Sequence, residues 1–398
     1  MVRRNGGFIG TDGLDAPDPP TGVAVSGGTD GVASISFTAP TDTGTSAITG
    51  FIATASTGVG ATGSSSPISV TSLTLGTAVT FRAYAVNAYG TSAASDATSS
   101  ITPAAGLGLF AGGLAPSATN EISQITISTT GNTTDWGDLT TTASAVQGGC
   151  ASTTRGVFGP GGGDKTYVYD YITFATAGNA VDFGDPTSRS GLSFLSNSVR
   201  GVGGGITDSV NRIEYITIAS TGDATDFGDL SVARLDITPG ASTTRGIFYC
   251  GRDGGTNGPI DYITIASAGN ATDFGDAINV KSDAGGASSN TRMVAGGGHS
   301  GGTTEDSSKS PSIEYITIAS TGNATDFGDL TVGRNSVAGV SNSTRAVFQG
   351  GGGWANGATA RSTLDYVTIA TTGNATDFGD QASEMYSSGS VGNAHGGL

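Results

Sequence analysis

The stretch YITIASTGNATDFGD, residues 315–329, decides how the chain is read. An apolar, strand-length run passes through a Ser-Thr-Gly-Asn turn into a second strand-length piece that ends in Asp326-Phe327-Gly328-Asp329. The Asp-aromatic-Gly-Asp ending also occurs at Asp135-Trp136-Gly137-Asp138, Asp182-Phe183-Gly184-Asp185 and Asp226-Phe227-Gly228-Asp229. It returns at Asp273-Phe274-Gly275-Asp276 and Asp377-Phe378-Gly379-Asp380, so the intervals are 47, 44, 47, 53 and 51 residues. Six copies at this period predict a β-propeller rather than a short-repeat solenoid.

Outward from that stretch, each repeat divides into four strand-sized pieces. In the last full copy they are SVAGVSNS (336–343), TRAVFQGGG (344–352), LDYVTIA (364–370) and ATDFGD (375–380). Ile213, Ile216 and Ile218 cannot all point one way, which suits a sheet packed between two neighbours. Glycine-rich ends are expected where the sheets converge and side-chain room is scarce. The repeats begin on a second piece, Gly108–Gly113, and end on a first piece, Ser387–His395. The first blade is therefore expected to borrow its inner strand from the C-terminal end, closing a ring without free edges.

Composition agrees with short strands and tight turns. The chain has 398 residues with 67 glycines and 12 prolines, and only 13% are charged. Gly plus Pro stays below the roughly 25–30% of low-complexity disorder. Net charge is −16 with three lysines, which argues against nucleic acid as a partner. No apolar run approaches the ~18 residues of a spanning helix, so no membrane insertion is expected. MVRRNGGFIGTDG lacks the apolar segment of a secretory signal. Cys150 and Cys250 have no metal or redox spacing and read as small buried residues, with a disulfide between them as the alternative.

Residues 17–104 read as seven short strands of a β-sandwich, with Val79, Phe81, Ala83 and Ala85 on one face at period two. Leu73-x-x-Gly76-Thr77, Phe81-Arg82-Ala83-Tyr84-Ala85-Val86-Asn87 and Gly90-Thr91-Ser92 resemble the end of a fibronectin type III domain, and Pro17, Pro19 and Pro20 its start. Val79 stands where that family usually has its corner tyrosine, and Phe37 where it usually has a core tryptophan. Gly296-Gly297, Tyr315 and Phe327, with their equivalents, resemble the kelch propeller repeat, with Phe mostly replacing its tryptophan. The stretch at 315–329 also resembles propeller repeats in structural proteins of marine tailed phages. Together these resemblances imply an all-β chain. It would have an N-terminal anchor arm (1–16), an immunoglobulin-like or fibronectin type III sandwich (17–104) and a six-bladed kelch-like propeller (106–398) closed by the C-terminal strand.

The turns sort into two sets. Those between first and second pieces (ASTTR, SNSTR) and between third and fourth (STGN) are monotonous. The loops between second and third pieces differ: DKTYVY (164–169), RDGGTNGP (252–259), HSGGTTEDSSKSPS (299–312) and WANGATARST (354–363). A uniform face reads as structural and a varied one as a place for contact. Tyr167, Arg252, Asp253, His299, Trp354, Asn356 and Arg361 are its candidate binding residues. Arg155, Arg200, Arg245, Arg292 and Arg345 recur at one end of the repeat, with Leu107 in the first copy, and are expected to pair with the acid or turn carbonyls of the fourth piece. Asp170, Glu214, Asp261, Glu314 and Asp365 recur at the other end, with Ser123 in the first copy. The paired aspartates read as turn residues holding backbone amides rather than calcium ligands, and Asn270, Asn323 and Asn374 as turn asparagines.

No catalytic, cofactor or metal residues are assigned. Two histidines, His299 and His395, do not make a dedicated metal site, and the acids repeat with the scaffold; Glu305 is the faint exception. Extracellular-style modules without a secretory signal point to a virion protein made in a host cytoplasm. Arg3, Arg4, Phe8 and Ile9 would dock it to other virion proteins, through the arm or the sandwich. The expected function is a tail or particle-surface appendage whose propeller adheres to a host-surface glycan or protein, with self-association as a homo-oligomer on the particle. The competing expectations are a capsid decoration protein without a receptor and, third, a glycan-degrading enzyme.

Overall fold

With Lys, Glu and Leu scarce and Gly, Thr and Ser abundant, strands joined by tight turns are the regular structure this chain builds. A computed structural model describes residues 14–114, 117–146, 148–163, 167–187, 192–205, 211–252, 258–300, 309–352 and 360–398. Among them all regular structure is β, in antiparallel sheets. The chain divides into two compact units, Met1–Ala105 and Gly106–Leu398.

The first unit has seven strands: β1 (Thr21–Gly27), β2 (Ala33–Thr38), β3 (Ile48–Ala55), β4 (Gly60–Gly63), β5 (Ile68–Val70), β6 (Phe81–Asn87) and β7 (Gly90–Thr91). They form two sheets, β1-β2-β5 and β4-β3-β6-β7. Alternation along β2, β3 and β6 sends Ile35, Phe37, Phe51, Ala53, Phe81 and Ala83 into one core, where Phe37 meets Phe51 at 4.9 Å between ring centroids. Past β7 the chain runs beside β6 without becoming a strand. Ser92, Ser95 and Thr98 donate their backbone N–H groups to Ala85, Ala83 and Phe81 at 2.8, 3.0 and 2.9 Å. Their hydroxyl oxygens accept the N–H groups of the same three residues at 3.0, 2.9 and 3.0 Å. Three residues of chain thus match two of β6, a hydroxyl standing in for each missing carbonyl, and the sheet edge is covered. Ser95→Ala leaves the buried Ala83 N–H without its acceptor. A loss of about 1–2 kcal/mol is expected in denaturant unfolding of this unit.

The second unit is a succession of sheets. Sheets 2 to 6 begin on the short strands Gly149–Ala151, Ser193–Ser196, Thr238–Ala241, Gly285–Ser288 and Ala338–Ser341, and each continues through three more strands in chain order. Sheet 1 holds Leu107–Ala111, Thr119–Thr126 and Thr134–Val146, with Gly161–Gly163 added at its outer side. Its inner strand is Gly389–Gly392, which pairs Gly389 with Ala111 and Gly392 with Gly108. The six inner strands touch in a cycle, each meeting the next, and Gly389–Gly392 meets both Ala338–Ser341 and Gly149–Ala151. Side chains staple them: Ser196 and Ser288 each accept from and donate to the backbone of Ala151 and Ala241, at 2.8–3.1 Å. At Gly286 and Gly339 a Cβ would overlap the carbonyl of the preceding inner strand, which is why the closest approach carries glycine.

Apolar residues on both faces of each sheet are used. Ile213 packs with Phe248 and Ile263, whereas Ile216 and Ile218 pack with Val157 and Phe183 on the other side. The aromatic of each Asp-aromatic-Gly-Asp is buried, and five phenylalanines make edge contacts of 5.9–6.1 Å with the tyrosine of the neighbouring strand, as in Tyr315–Phe327.

The repeated turn locks one sheet to the next. The N–H of its second aspartate donates to a side-chain oxygen in the next sheet: Asp138 to Asn179, Asp185 to Asp223, Asp229 to Asn270, Asp276 to Asn323 and Asp329 to Asn374, all at 3.1–3.2 Å. Asp380 to Asn132, at 3.0 Å, carries the series from sheet 6 back to sheet 1. The amide-capping side chain is therefore the turn residue of the neighbour, asparagine at five seams and Asp223 at one, and the aspartate beginning each motif is exposed. The motif glycine has φ of +142° to +152°, and at Gly228 a Cβ would lie 2.5 Å from the backbone of Gly269. Gly228→Ala is expected to lower stability by at least about 2 kcal/mol in a denaturant titration, because strain and clash coincide.

The arginines form a second link, different from the one expected. Their partner is the carbonyl of the isoleucine just past the third strand of the next sheet: Arg155 to Ile218, Arg200 to Ile265, Arg245 to Ile318, Arg292 to Ile369 and Arg345 to Ile127, at 2.8–3.1 Å. Each guanidinium also lies 4.2–4.4 Å over the tyrosine ring of its own sheet. A guanidinium both stacks and donates, so the fourth-piece aspartates are not needed as partners.

Candidate functional site

The cycle of inner strands encloses a cavity of about 130 Å³. Its wall mixes apolar side chains (Phe194, Ile237, Val337, Val340, Val391) with serine hydroxyls and Cys150. One end is crossed by the last residues. His395 shares Nε2 between Ser196 Oγ and the Ala151 carbonyl, both at 3.2 Å, and Gly396 donates to Ser288 O at 2.9 Å. Burial pushes the His395 imidazolium down to a pKa of about 4. Because the folded pKa lies below the free value, the unfolded chain takes up a proton first as pH falls. The contribution is present above about pH 6.5 and is lost towards pH 4. With the ring partly exposed, we expect a loss on the order of 2 kcal/mol between these limits, and a flatter stability–pH curve for His395→Gln.

The other end of the cavity carries Asp236, Asp283, Ser336 and Ser387, the residues that precede or open the inner strands of sheets 4, 5, 6 and 1. All four hold positive φ, from 54° to 57°. Asp236 accepts from Arg252 at 2.9 Å. Burial, with Asp236 beside it, pushes the Asp283 carboxyl well above the carboxylate range, against the pull of Arg252. His299 Nε2 lies 4.0 Å from Asp283 and against Asn335. Just before Asp283 and Ser336, Ser282 Oγ and Asn335 Oδ1 are buried without a hydrogen-bond partner among the described residues.

The second unit also holds a set of buried charges that reading of the sequence missed. Arg234 pairs with Asp261 at 3.0 Å, Lys281 with Glu314 at 3.2 Å and Arg334 with Asp365 at 3.1 Å, each cation standing in the connection that leads into the sheet of its acid. Burial lowers the pKa of Lys281 and Arg334, and the opposite charge offsets this only in part. The same acids reach the preceding sheet: Asp365 accepts from the N–H and hydroxyl of Thr331, and Asp261 from those of Ser231. Tyr169 and Tyr249 donate to Glu214 and Glu314, and burial with these carboxylates pushes both phenols up. A signal existed. Arg234, Lys281 and Arg334 each stand five residues after the second aspartate of the repeated motif.

The candidate binding residues are placed unequally. Tyr167 is exposed, and Arg252 is part-exposed at the cavity end through Asp236. Arg361 opens a strand beside Met385 and raises the positive potential around Arg334. His299 is wholly buried, so it supports the cavity end and offers no surface to a partner. Asp253, Trp354 and Asn356 lie outside the described residues, as do Glu305 and the arm residues Arg3, Arg4, Phe8 and Ile9. Cys150 and Cys250 are free and buried, and burial raises both thiols.

Comparison with known proteins adds little to this geometry. No protein-family model matches the chain, and no curated protein matches it. Among solved structures, domains A168–A170 of titin are 28% identical over 23% of this chain, with a TM-score of 0.22. A second structure, titin kinase with its flanking domains, is 29% identical over 22% of this chain, with a TM-score of 0.21. The chain spans 33% of the first and 17% of the second.

Proposed function

We propose that Gly106–Leu398 is a six-bladed, kelch-like propeller and that the chain is a virion structural protein of a tailed phage. In this reading it is an appendage that presents the varied end of the propeller to a host cell surface. The observation that carries the reading is the division of labour between the two ends. One end repeats the same side-chain lock at all six seams, an asparagine at five and Asp223 at the sixth, closing through Asp380 and Asn132. The other departs from repetition in loop length and charge, with Arg252 and the Asp236–Asp283 pair beside a cavity. Uniform structure holds a scaffold, and departure from it is where recognition is built. The resemblance of residues 315–329 to marine phage repeats supplies the particle, and the fibronectin type III-like unit is the spacer.

Electron microscopy of particles labelled with an antibody to this chain tests the location. Label at the tail or on a surface appendage supports the reading. Label spread evenly over the head, without capture of host cells by the purified chain, replaces it with a decoration protein. Release of sugar products from host polysaccharide replaces it with a glycan-degrading enzyme.

A further inference from the structure

We propose that the cavity inside the inner strands holds one neutral sugar ring of a glycan, with Asp283 and Asp236 accepting its hydroxyls. The inference rests on the adhesive reading above and adds a ligand class and a site to it.

Size comes first. A water needs roughly 10–15 Å³ of probe-sized space. A cavity of about 130 Å³ therefore admits about ten such atoms, close to the heavy atoms of a hexose. Lining comes second. Ile237, Val337 and Val391 give an apolar wall for the C–H face of a pyranose, and the end opposite His395 brings two carboxyls together. Mixed lining of this kind orients a ligand by a few polar groups while apolar contact supplies area.

Charge narrows the class. Arg252 neutralises Asp236 and burial favours the neutral form of Asp283, so this end offers no net charge to draw a phosphate or carboxylate ligand. A metal ion is not favoured either: no group of three His, Cys, Asp or Glu fit to hold one occurs among the described residues. Asp236 already holds Arg252, so the pair does not present two free negative charges. Asp283 has His299 at 4.0 Å, beyond hydrogen-bond distance, and its carboxyl oxygens can take hydroxyl donors. The left-handed backbone at Asp236 and Asp283 holds both acids at the cavity end. Neutral hydroxyls answer this set without a net charge of their own.

Saturation-transfer NMR on the full chain tests it, with free glucose, galactose, mannose and N-acetylglucosamine at millimolar concentration. At least one should give a saturable signal. Asp283→Asn keeps shape and tolerates the positive φ, and Ser390→Leu fills the wall. Each should weaken binding about tenfold or more in a protein that stays folded, with a small drop in melting temperature for Ser390→Leu, which also loses the Ser390–Gly339 hydrogen bond. No signal from any of the four, or binding indifferent to both substitutions in a folded protein, overturns the cavity site. A chain that binds arrayed glycans yet ignores both substitutions overturns the cavity and leaves adhesion standing. A sugar bound in the cavity by a chain that captures no arrayed glycan supports the cavity and removes the adhesive reading.

Discussion

Deleting residues 389–398 should unfold Gly106–Leu398 as a unit at physiological temperature while leaving the transition of Met1–Ala105 in place. The strand Gly389–Gly392 completes sheet 1 and touches the inner strands of sheets 6 and 2, so its loss breaks two contacts of the cycle at once. It also exposes the buried faces around Leu109 and Val146, which pack with Val391, and removes the His395 bridge across the cavity. Lost apolar burial and the opened edge together should cost at least about 5 kcal/mol, comparable with the whole stability of an ordinary domain. Differential scanning calorimetry should show the larger transition abolished or shifted far down. A truncated chain that melts within a few degrees of the parent would mean that the strand is an accessory and the ring holds without it.

Arg334→Met should be the most costly single replacement of a charge. It leaves Asp365 buried with only Thr331 to satisfy it, and stranding one partner of a buried ion pair costs about 3–5 kcal/mol. The chain itself contains the apolar alternative. Five residues after the last Asp-aromatic-Gly-Asp stands Met385 instead of a cation, and the acid position of sheet 1 is Ser123. Both are buried. Arg334→Met with Asp365→Ser copies that seam, so the double variant should recover more than half of the loss in urea denaturation. If the single variant loses under about 1 kcal/mol, the pair is solvated and the seam does not depend on it.

Repetition made the frame legible. Six copies of one motif with four strand-sized pieces gave the strand boundaries, and the leftover piece at Ser387–His395 pointed to the pairing with Leu107–Ala111. The contacts between repeats were less legible, because they join residues one repeat apart and each side looks like an ordinary turn. Asn323 reads as a turn asparagine, and it is one; that its oxygen caps Asp276 of the preceding sheet becomes visible only when the sheets stand side by side. The arginines misled for a related reason. Aspartates lie near them in the sequence pattern, but stacking on tyrosine aims the guanidinium across the seam at a carbonyl. The cavity end was least legible of all. Asp236 and Asp283 are unremarkable in sequence, and their meeting depends on the convergence of inner strands. His299 drew notice as a rare residue in a varied loop, yet it pairs in a short strand with Ser282 and faces inward.

The central claim is that the varied end recognises a glycan while the uniform end only holds the ring. The direct measurement is a glycan array probed with the full chain and with a variant whose loop segments 253–257, 301–308 and 353–359 are replaced by Gly-Ser of equal length. The account predicts a defined set of glycans bound by the parent and lost by a variant that melts at the same temperature. Equal binding by both proteins, or no glycan bound by the parent, would contradict it.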